Sequence, residues 1–281
     1  MLRRPRTALL AALACAAGLW LVHFAAFAVA AGRRVDASAL QGFVDLHGVR
    51  SLPFVHGLAH LADPLPFALF GMALVVVALL RGRPRVALAV PAILLAANST
   101  TQLLKPALAQ ERTFDSLTYP FHIAAASWPS GHATASMALV LCAVLVAPPR
   151  ARPALAVAGV GFTVAVCYSL LAIGWHFPSD VLAGYLVATT WTLLGVAALL
   201  AADARWPART GRDAVMRRRD AIVPLGAAAL GTGGLAALVA FAHPLAVIAY
   251  ARAHTSFVAG AIAIAALGAA LATGLALALR R

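Results

Sequence analysis

The uncharged stretch GHATASMALVLCAVLVA, residues 131–147, decides the class of fold. A helix needs about 20 mainly apolar residues to cross a bilayer, with a range of roughly 17–25, and this run fits that length. Seven further apolar runs cover residues 8–31, 64–80, 86–104, 154–173, 180–202, 221–242 and 257–279. The sequence therefore predicts an all-α membrane protein with about eight transmembrane helices.

The composition of the chain excludes the main alternatives to a helical membrane protein. Of the 281 residues, 63% are apolar and 11% are charged, whereas soluble domains have roughly 45–50% and about 25%. Disordered chains need low hydrophobicity, and transmembrane barrels show alternating rather than unbroken apolar runs. The three cysteines (Cys15, Cys142 and Cys167) all lie inside apolar runs, so we interpret them as small buried side chains and not as disulfide or metal ligands.

The charge distribution of the chain predicts its orientation. The net charge is +13, which in a soluble domain would suggest a nucleic-acid partner. Here the basic residues cluster between the apolar runs, and an N-terminus on the cytoplasmic side places 16 of the 22 Lys and Arg residues in inner segments. We therefore expect a multi-pass protein of the inner (plasma) membrane, with membrane lipids and no nucleic acid as partners.

The apolar runs also suggest the organisation of the chain. The first run is longer than the core of a signal peptide, so we expect a retained helix. We expect a six-helix core over residues 1–202, a basic cytoplasmic linker over 203–220 and a C-terminal two-helix hairpin over 221–281. Residues 35–47 mix apolar and polar side chains, as a short interfacial helix does.

Two polar segments at predicted outer helix ends suggest an anion site. Lys105 and Arg112 are seven residues apart, a spacing that would put both cations on one face of a helix, although Pro106 suggests that the helix breaks there. Ser130 precedes and Gly131 begins the run at 131–147, where free backbone N–H groups can bind an anion such as phosphate, with His132 beside them. Read singly, Lys105 and Arg112 are also consistent with cations at the membrane interface.

A third outer segment, SLLAIGWHFPSD over residues 169–180, contains a histidine and a carboxylate. His176 and Asp180 are four residues apart with Pro178 between them. A carboxylate at one imidazole nitrogen fixes the tautomer and leaves the other nitrogen free to attack. Taken alone, the segment also fits a helix-capping Asp next to an interfacial His.

In this order, the three segments resemble the signature of the type 2 phosphatidic acid phosphatase (PAP2) superfamily of membrane lipid phosphatases, over residues of about 60–200. The resemblance implies a metal-independent phosphatase on a six-helix core, without a cofactor. His176 would attack phosphorus and form a phosphohistidine, Asp180 would orient His176, and His132 would protonate the leaving oxygen. Residues that would hold the phosphoryl oxygens are Lys105, Arg112, and the amides of Ser130 and Gly131.

The chain departs from this family pattern at two positions. Thr113 follows Arg112 where the family has proline, which has no chemistry of its own. Leu170 follows Ser169 where the family has a phosphate-binding arginine. Either Arg50 or Arg252 supplies the missing cation, or the enzyme is weakened, or the site has another use.

These observations lead to a ranked set of functions. We expect a lipid phosphatase on the outer face that acts on an isoprenoid carrier such as undecaprenyl or decaprenyl (di)phosphate, with a glycerophospholipid phosphate as the next substrate class. The alternative is a non-catalytic binder or transporter of lipid phosphates on the same fold. A membrane cytochrome is disfavoured, because only His23 lies in the middle of a predicted span.

Overall fold

A computed structural model describes residues 4–46, 52–112, 123–207 and 244–279. Every regular element in these residues is helical, as the sequence predicts. The helices are α1 Pro5–Phe27, α2 Ala30–Asp45, α3 Leu52–Ala59, α4 Pro64–Leu80, α5 Pro84–Ala107, α6 Gly131–Val146, α7 Arg152–Ala172, α8 Pro178–Arg205, α9 Pro244–Ala253 and α10 Thr255–Ala278, with short 3₁₀ turns at His60–Ala62 and Ala125–Ser127.

The described helices match seven of the eight predicted membrane spans. Six candidate spans are each long and apolar enough to cross a membrane: α1, α5, α7, α8, α10, and α6 together with the turn before it, as Ala125–Val146. The predicted span at 64–80 coincides with α4, which follows the helical segment Pro53–Ala62 after a bend of 51°, and this bent pair counted as one span makes a seventh. The predicted span at 221–242, and most of the linker at 203–220, lie outside the described residues.

Prolines and one serine define where the helices begin. Pro5, Pro64, Pro84 and Pro178 each stand in the first turn of a helix, where the missing N–H costs nothing and the fixed φ favours the helical backbone. The α6 helix instead begins after Ser130, whose side chain accepts a hydrogen bond from the N–H of Ala133. Two of the segments predicted to bear chemistry are therefore helix starts.

Helices α6 and α8 form the centre of the bundle, and α1, α5, α7 and α10 pack around them. Gly184 permits their close approach, because a Cβ at this position would lie 2.8 Å from the Ser130 carbonyl oxygen. The hydroxyls of Thr101 and Thr134 are 3.0 Å apart and join α5 to α6. The C-terminal end of α5 and the N-terminal ends of α6 and α8 consequently meet at one end of the bundle, which we call the motif end.

The predicted interfacial helix at 35–47 is observed as α2, which begins five residues earlier, at Ala30. Its buried face includes Leu40 and Phe43, and it packs against the C-terminal helix α10. The ring of Phe257 would be only 3.1 Å from a Cβ at Gly42, and the hydroxyl of Tyr250 donates to the Gly42 carbonyl. The helices α9 and α10 thus hold α2 in place.

Helix α10 is also packed into the bundle itself. The Tyr168 hydroxyl on α7 donates to the Ala261 carbonyl over 2.7 Å, and Gly268 lies against the ring of Tyr185 on α8. The end of α10 meets the end of the bundle opposite to the motif end, where Arg152 donates to the Leu279 carbonyl. The same opposite end contains the ion pair between Arg85 and Asp203.

Candidate active site

The start of α8 orients the predicted nucleophile. Nδ1 of His176 lies 3.3 Å from Oδ2 of Asp180, one helical turn away. The same carboxylate oxygen accepts the backbone N–H of Phe177 over 3.1 Å. Both His176 and Asp180 are buried. Because Nδ1 faces the carboxylate, Nε2 is the nitrogen that is left to carry the lone pair.

Arg112 is folded onto the same carboxylate. Its Nη2 donates to Oδ1 of Asp180 over 2.6 Å and to the Ser127 hydroxyl over 2.9 Å. Its Nη1 donates to the Ser179 hydroxyl over 3.1 Å, and the guanidinium stacks on the Phe177 ring at 3.9 Å. The side chain is only 4% exposed. Arg112 therefore stabilises the orienting carboxylate, and the phosphoryl-holding role predicted for it stays a prediction.

A second carboxylate, Asp36 on α2, completes this buried network. Its Oδ2 lies 3.3 Å from Nη1 of Arg112. Its two oxygens also accept the backbone N–H of Ser179 over 2.9 Å and the hydroxyl of Ser179 over 2.6 Å. Burial raises the pKa of Asp36 to about 6, an effect that the Arg112 charge opposes. Asp36 thus caps the start of α8 from a neighbouring helix.

His132, the predicted acid, lies at the start of α6 and faces a different carboxylate. Its Nε2 is 2.9 Å from Oδ1 of Asp63, and the other oxygen of Asp63 is 2.8 Å from Nδ1 of His60. The His132 ring lies 6.0 Å from the ring of Trp175, the residue before His176. The predicted acid therefore contacts the residue that directly precedes the predicted nucleophile.

The start of α6 carries the amides for which an anion-binding role is predicted. The N–H of Ser130 donates to the Asp180 carbonyl over 2.9 Å, so it is engaged in the protein. The first turn of the helix leaves the N–H groups of Gly131 and His132 without an intrahelical acceptor. A Cβ at Gly131 would lie 3.8 Å from Nζ of Lys105, which places the ammonium beside these amides.

The family's third cation has no substitute among the described residues of the site. Leu170 is fully buried in an apolar cluster with Ala59, Ala62, Ala135 and Val166. Arg252, one of the two predicted replacements, is exposed on α9, and Arg50 lies outside the described residues. The described residues also contain no group of three or more His, Cys, Asp or Glu side chains arranged to hold a metal ion.

The sequence analysis did not identify four residues of the candidate site: Asp36, Asp63, Ser127 and Ser179. Asp36 lies 143 residues before its partner Ser179, and no spacing rule connects such distant positions. The single signal for Asp63 was its position before Pro64 at the start of an apolar run, which is also the signature of an ordinary helix cap.

Comparisons with known proteins bear on the family and on the fold. Residues 68–203 match the model of the PAP2 superfamily. The fold is similar to the crystal structure of a transmembrane PAP2-type phosphatidylglycerolphosphate phosphatase from Bacillus subtilis, with a TM-score of 0.51 and 19% identity, covering 71% of this chain and 98% of that one. A search of curated proteins gave no significant match. Residues 68–203, which contain the three motifs, therefore match the PAP2 superfamily, and the helical bundle has the fold of a transmembrane PAP2-type phosphatase.

Proposed function

We propose that the chain hydrolyses a lipid phosphate or diphosphate through a phosphohistidine intermediate, without a metal ion. The observation that carries this proposal is the meeting of three helix ends, where Asp180 contacts His176, Lys105 lies beside Gly131, and His132 approaches Trp175. A membrane anchor would need none of these polar contacts. Phosphoryl transfer depends on such positioning and on electrostatic stabilisation.

The chemistry follows from the hydrogen bonds of the two histidines. Nε2 of His176 attacks phosphorus, so that an N–P bond forms while the bond from phosphorus to the leaving oxygen breaks. Asp180 holds Nδ1–H and stabilises the positive charge on the ring. His132 gives a proton to the leaving oxygen. In the second half, His132 takes a proton from water, which attacks phosphorus and releases inorganic phosphate from His176.

Lys105 and the start of α6 supply the positive potential for the phosphoryl group. The Lys105 ammonium and the N–H groups of Gly131 and His132 are close enough to bind neighbouring oxygens of one phosphoryl group. The helix dipole of α6 favours the same negative charge. Arg112 strengthens this potential from behind Asp180.

The site lies at the ends of membrane-spanning helices, which suits a substrate with its headgroup at the interface and its tail in the bilayer. The arginine-rich connections at the opposite end favour a cytoplasmic location for that end, and therefore an outward-facing site and a cytoplasmic N-terminus. An isoprenoid (di)phosphate is the first substrate to test, and a glycerophospholipid phosphate is the second.

The decisive experiment is phosphate release by the purified protein in detergent from undecaprenyl diphosphate, undecaprenyl phosphate and phosphatidic acid. We expect turnover in the presence of EDTA, inhibition by vanadate, which resembles pentacoordinate phosphorus, and no turnover by His176→Ala. Loss of activity on chelation that a divalent ion restores would contradict the metal-independent reaction.

A non-catalytic lipid-phosphate binder is the second candidate, because Leu170 stands where the family has a phosphate-binding cation. In that case the parent protein releases no phosphate from any of the three lipids, yet still binds them. Equilibrium binding of the same lipids to the parent and to Lys105→Ala separates this outcome from a protein that binds none of them.

A further inference from the structure

The carboxylate of Asp63 bridges two histidines at the motif end. Oδ1 is 2.9 Å from Nε2 of His132, and Oδ2 is 2.8 Å from Nδ1 of His60. Each oxygen of the carboxylate thus has its own imidazole. None of the three sequence motifs contains Asp63 or His60, and both residues precede the part of the chain that matches the family model, residues 68–203.

The backbone position of Asp63 makes this arrangement unusual. Asp63 is the N-cap residue of α4, where an aspartate ordinarily accepts a hydrogen bond from the first turn of its own helix. Its side chain makes no such bond here. The carboxylate contacts the two histidines instead of capping its own helix. The stability of α4 therefore does not explain where this side chain lies.

The elements around Asp63 explain why it reaches His132. The 3₁₀ turn His60–Ala62 lies between α3 and α4 and packs against α6 and α7. Ala59, which precedes this turn, and Ala62, which ends it, pack with Leu170 in one apolar cluster. The Leu170 side chain therefore packs against the turn that carries His60 and leads to Asp63.

The ring of Trp175 packs against both histidines that contact Asp63. Its ring lies 5.8 Å from the His60 ring and 6.0 Å from the His132 ring. Because Trp175 directly precedes His176, the cluster is continuous with the start of α8.

We propose that Asp63 is a positioning residue that orients His132 as the proton donor, and that His60 holds Asp63 in place. The inference rests on the proposed phosphatase function. With Nε2–H of His132 directed at Asp63, Nδ1 is the nitrogen that exchanges a proton with the leaving oxygen. Asp63 remains a carboxylate throughout and stabilises the imidazolium before the proton leaves, as Asp180 does for His176.

A difference between leaving groups tests this role. An alkyl alcohol, as in a lipid phosphate, needs a proton when its bond to phosphorus breaks, whereas a nitrophenolate leaves without one. General acid catalysis contributes about 10²–10⁴-fold in rate. For Asp63→Asn we expect kcat/KM, which reports the steps up to release of the leaving group, to fall by about 10- to 100-fold on the lipid phosphate, and by less than about 3-fold on p-nitrophenyl phosphate.

Two further variants complete the kinetic comparison. His60→Gln should show the same pattern as Asp63→Asn with a smaller loss, because it removes only the support of the carboxylate. Asp203→Asn is the matched control, since this aspartate pairs with Arg85 at the opposite end of the bundle. Equal losses by Asp63→Asn on both substrates would indicate a merely structural role and would overturn the proposal.

Nuclear magnetic resonance of ¹⁵N-histidine-labelled protein in detergent provides a measurement that does not depend on turnover. We expect the neutral His132 ring to carry its proton on Nε2 in the parent, and to lose that tautomer preference in Asp63→Asn. His132→Gln assigns the signal. If the parent hydrolyses neither substrate, the proposed function fails, and an unchanged His132 spectrum in Asp63→Asn would separately refute the pairing.

Discussion

The two histidines of the site are supported in contrasting ways. His176, Asp180, Arg112 and Asp36 form a network of side chains that are all less than a tenth exposed. On the other side, the side chains of His132, Asp63 and His60 are 25%, 35% and 54% exposed. We call these two groups the nucleophile side and the acid side.

This difference matches the task proposed for each histidine. A nucleophile must be held at a fixed distance and in one tautomer, which a buried network of charged hydrogen bonds provides. A proton donor must take up a new proton from water in every catalytic cycle, so partial exposure of its side chain to solvent is an advantage. The two sides should therefore respond differently to substitution.

The largest expected effect is the loss of the nucleophile. His176→Ala should reduce turnover by about 10⁴-fold or more, because no covalent intermediate can form. His132→Ala should retain more of its kcat/KM on p-nitrophenyl phosphate than on a lipid phosphate, because the aryl group leaves unassisted. Denaturing ³²P-labelled protein at alkaline pH, where the N–P bond of phosphohistidine is stable, traps the intermediate, which we expect in the parent and not in His176→Ala. Labelled His176→Ala would contradict the assignment.

Placing the family's arginine at position 170 should disrupt the packing of the acid side. Leu170→Arg places a charge in a fully buried apolar cluster, at a cost on the order of several kcal/mol. It also displaces the turn that carries His60 and Asp63. We expect a lower unfolding temperature in detergent and no gain in turnover, whereas Leu170→Met should resemble the parent. Faster turnover with unchanged stability would show that the new guanidinium reaches the phosphoryl group.

Asp36→Asn tests the deepest part of the nucleophile side. The amide keeps an acceptor for the N–H of Ser179 but removes the charge that faces Arg112. Loss of one charged hydrogen bond corresponds to about 1.5–3 kcal/mol, or about 10- to 150-fold in kcat. Asp45→Asn, on the same helix but more exposed, is the control. If Asp36→Asn leaves kcat unchanged, Arg112 does not depend on this carboxylate.

The smallest expected effect is a pH dependence of stability. Burial raises the pKa of Asp36 from 3.8 to about 6, so the folded protein takes up a proton between these values while the unfolded chain does not. The resulting stabilisation is present at low pH and is lost as the pH rises through about 6. Between pH 7 and 5 the parent should gain about 1 kcal/mol, a gain that Asp36→Asn should lack. Thermal unfolding of both proteins measures it, and identical shifts would contradict the assignment.

The sequence was most informative where the physics is local. Apolar run length predicted the membrane helices, because a bilayer core demands about 20 apolar residues. The pairing of His176 with Asp180 was also predictable, since residues four apart in a helical start share a face. The helix start after Ser130 was visible from the serine itself.

Contacts between distant segments were not predictable in this way. The phosphoryl-holding role of Arg112 stays a prediction, and its contacts with Asp36 from α2 and with Ser127 from the loop before α6 were not foreseen. Asp36 looked like one more polar residue of an interfacial helix, because its burial depends on the packing of α2 between α8 and α10. In the sequence, Leu170 was interpreted as the loss of a cation that the family has at this position. In the structure, its side chain packs against Ala59 and Ala62.

The packing of α10 against α2 has a consequence for biosynthesis. A Cβ at Gly260 on α10 would be 3.2 Å from Ala39 and 3.8 Å from Pro178, so the last helix touches both the element that carries Asp36 and the start of α8. A ribosome makes Asp36 and the motif segments long before it makes Gly260. The nascent protein therefore holds its motif segments in the membrane well before the helix that packs against α2 has been synthesised, and the buried contacts of Asp36 should form only after α10 has been added.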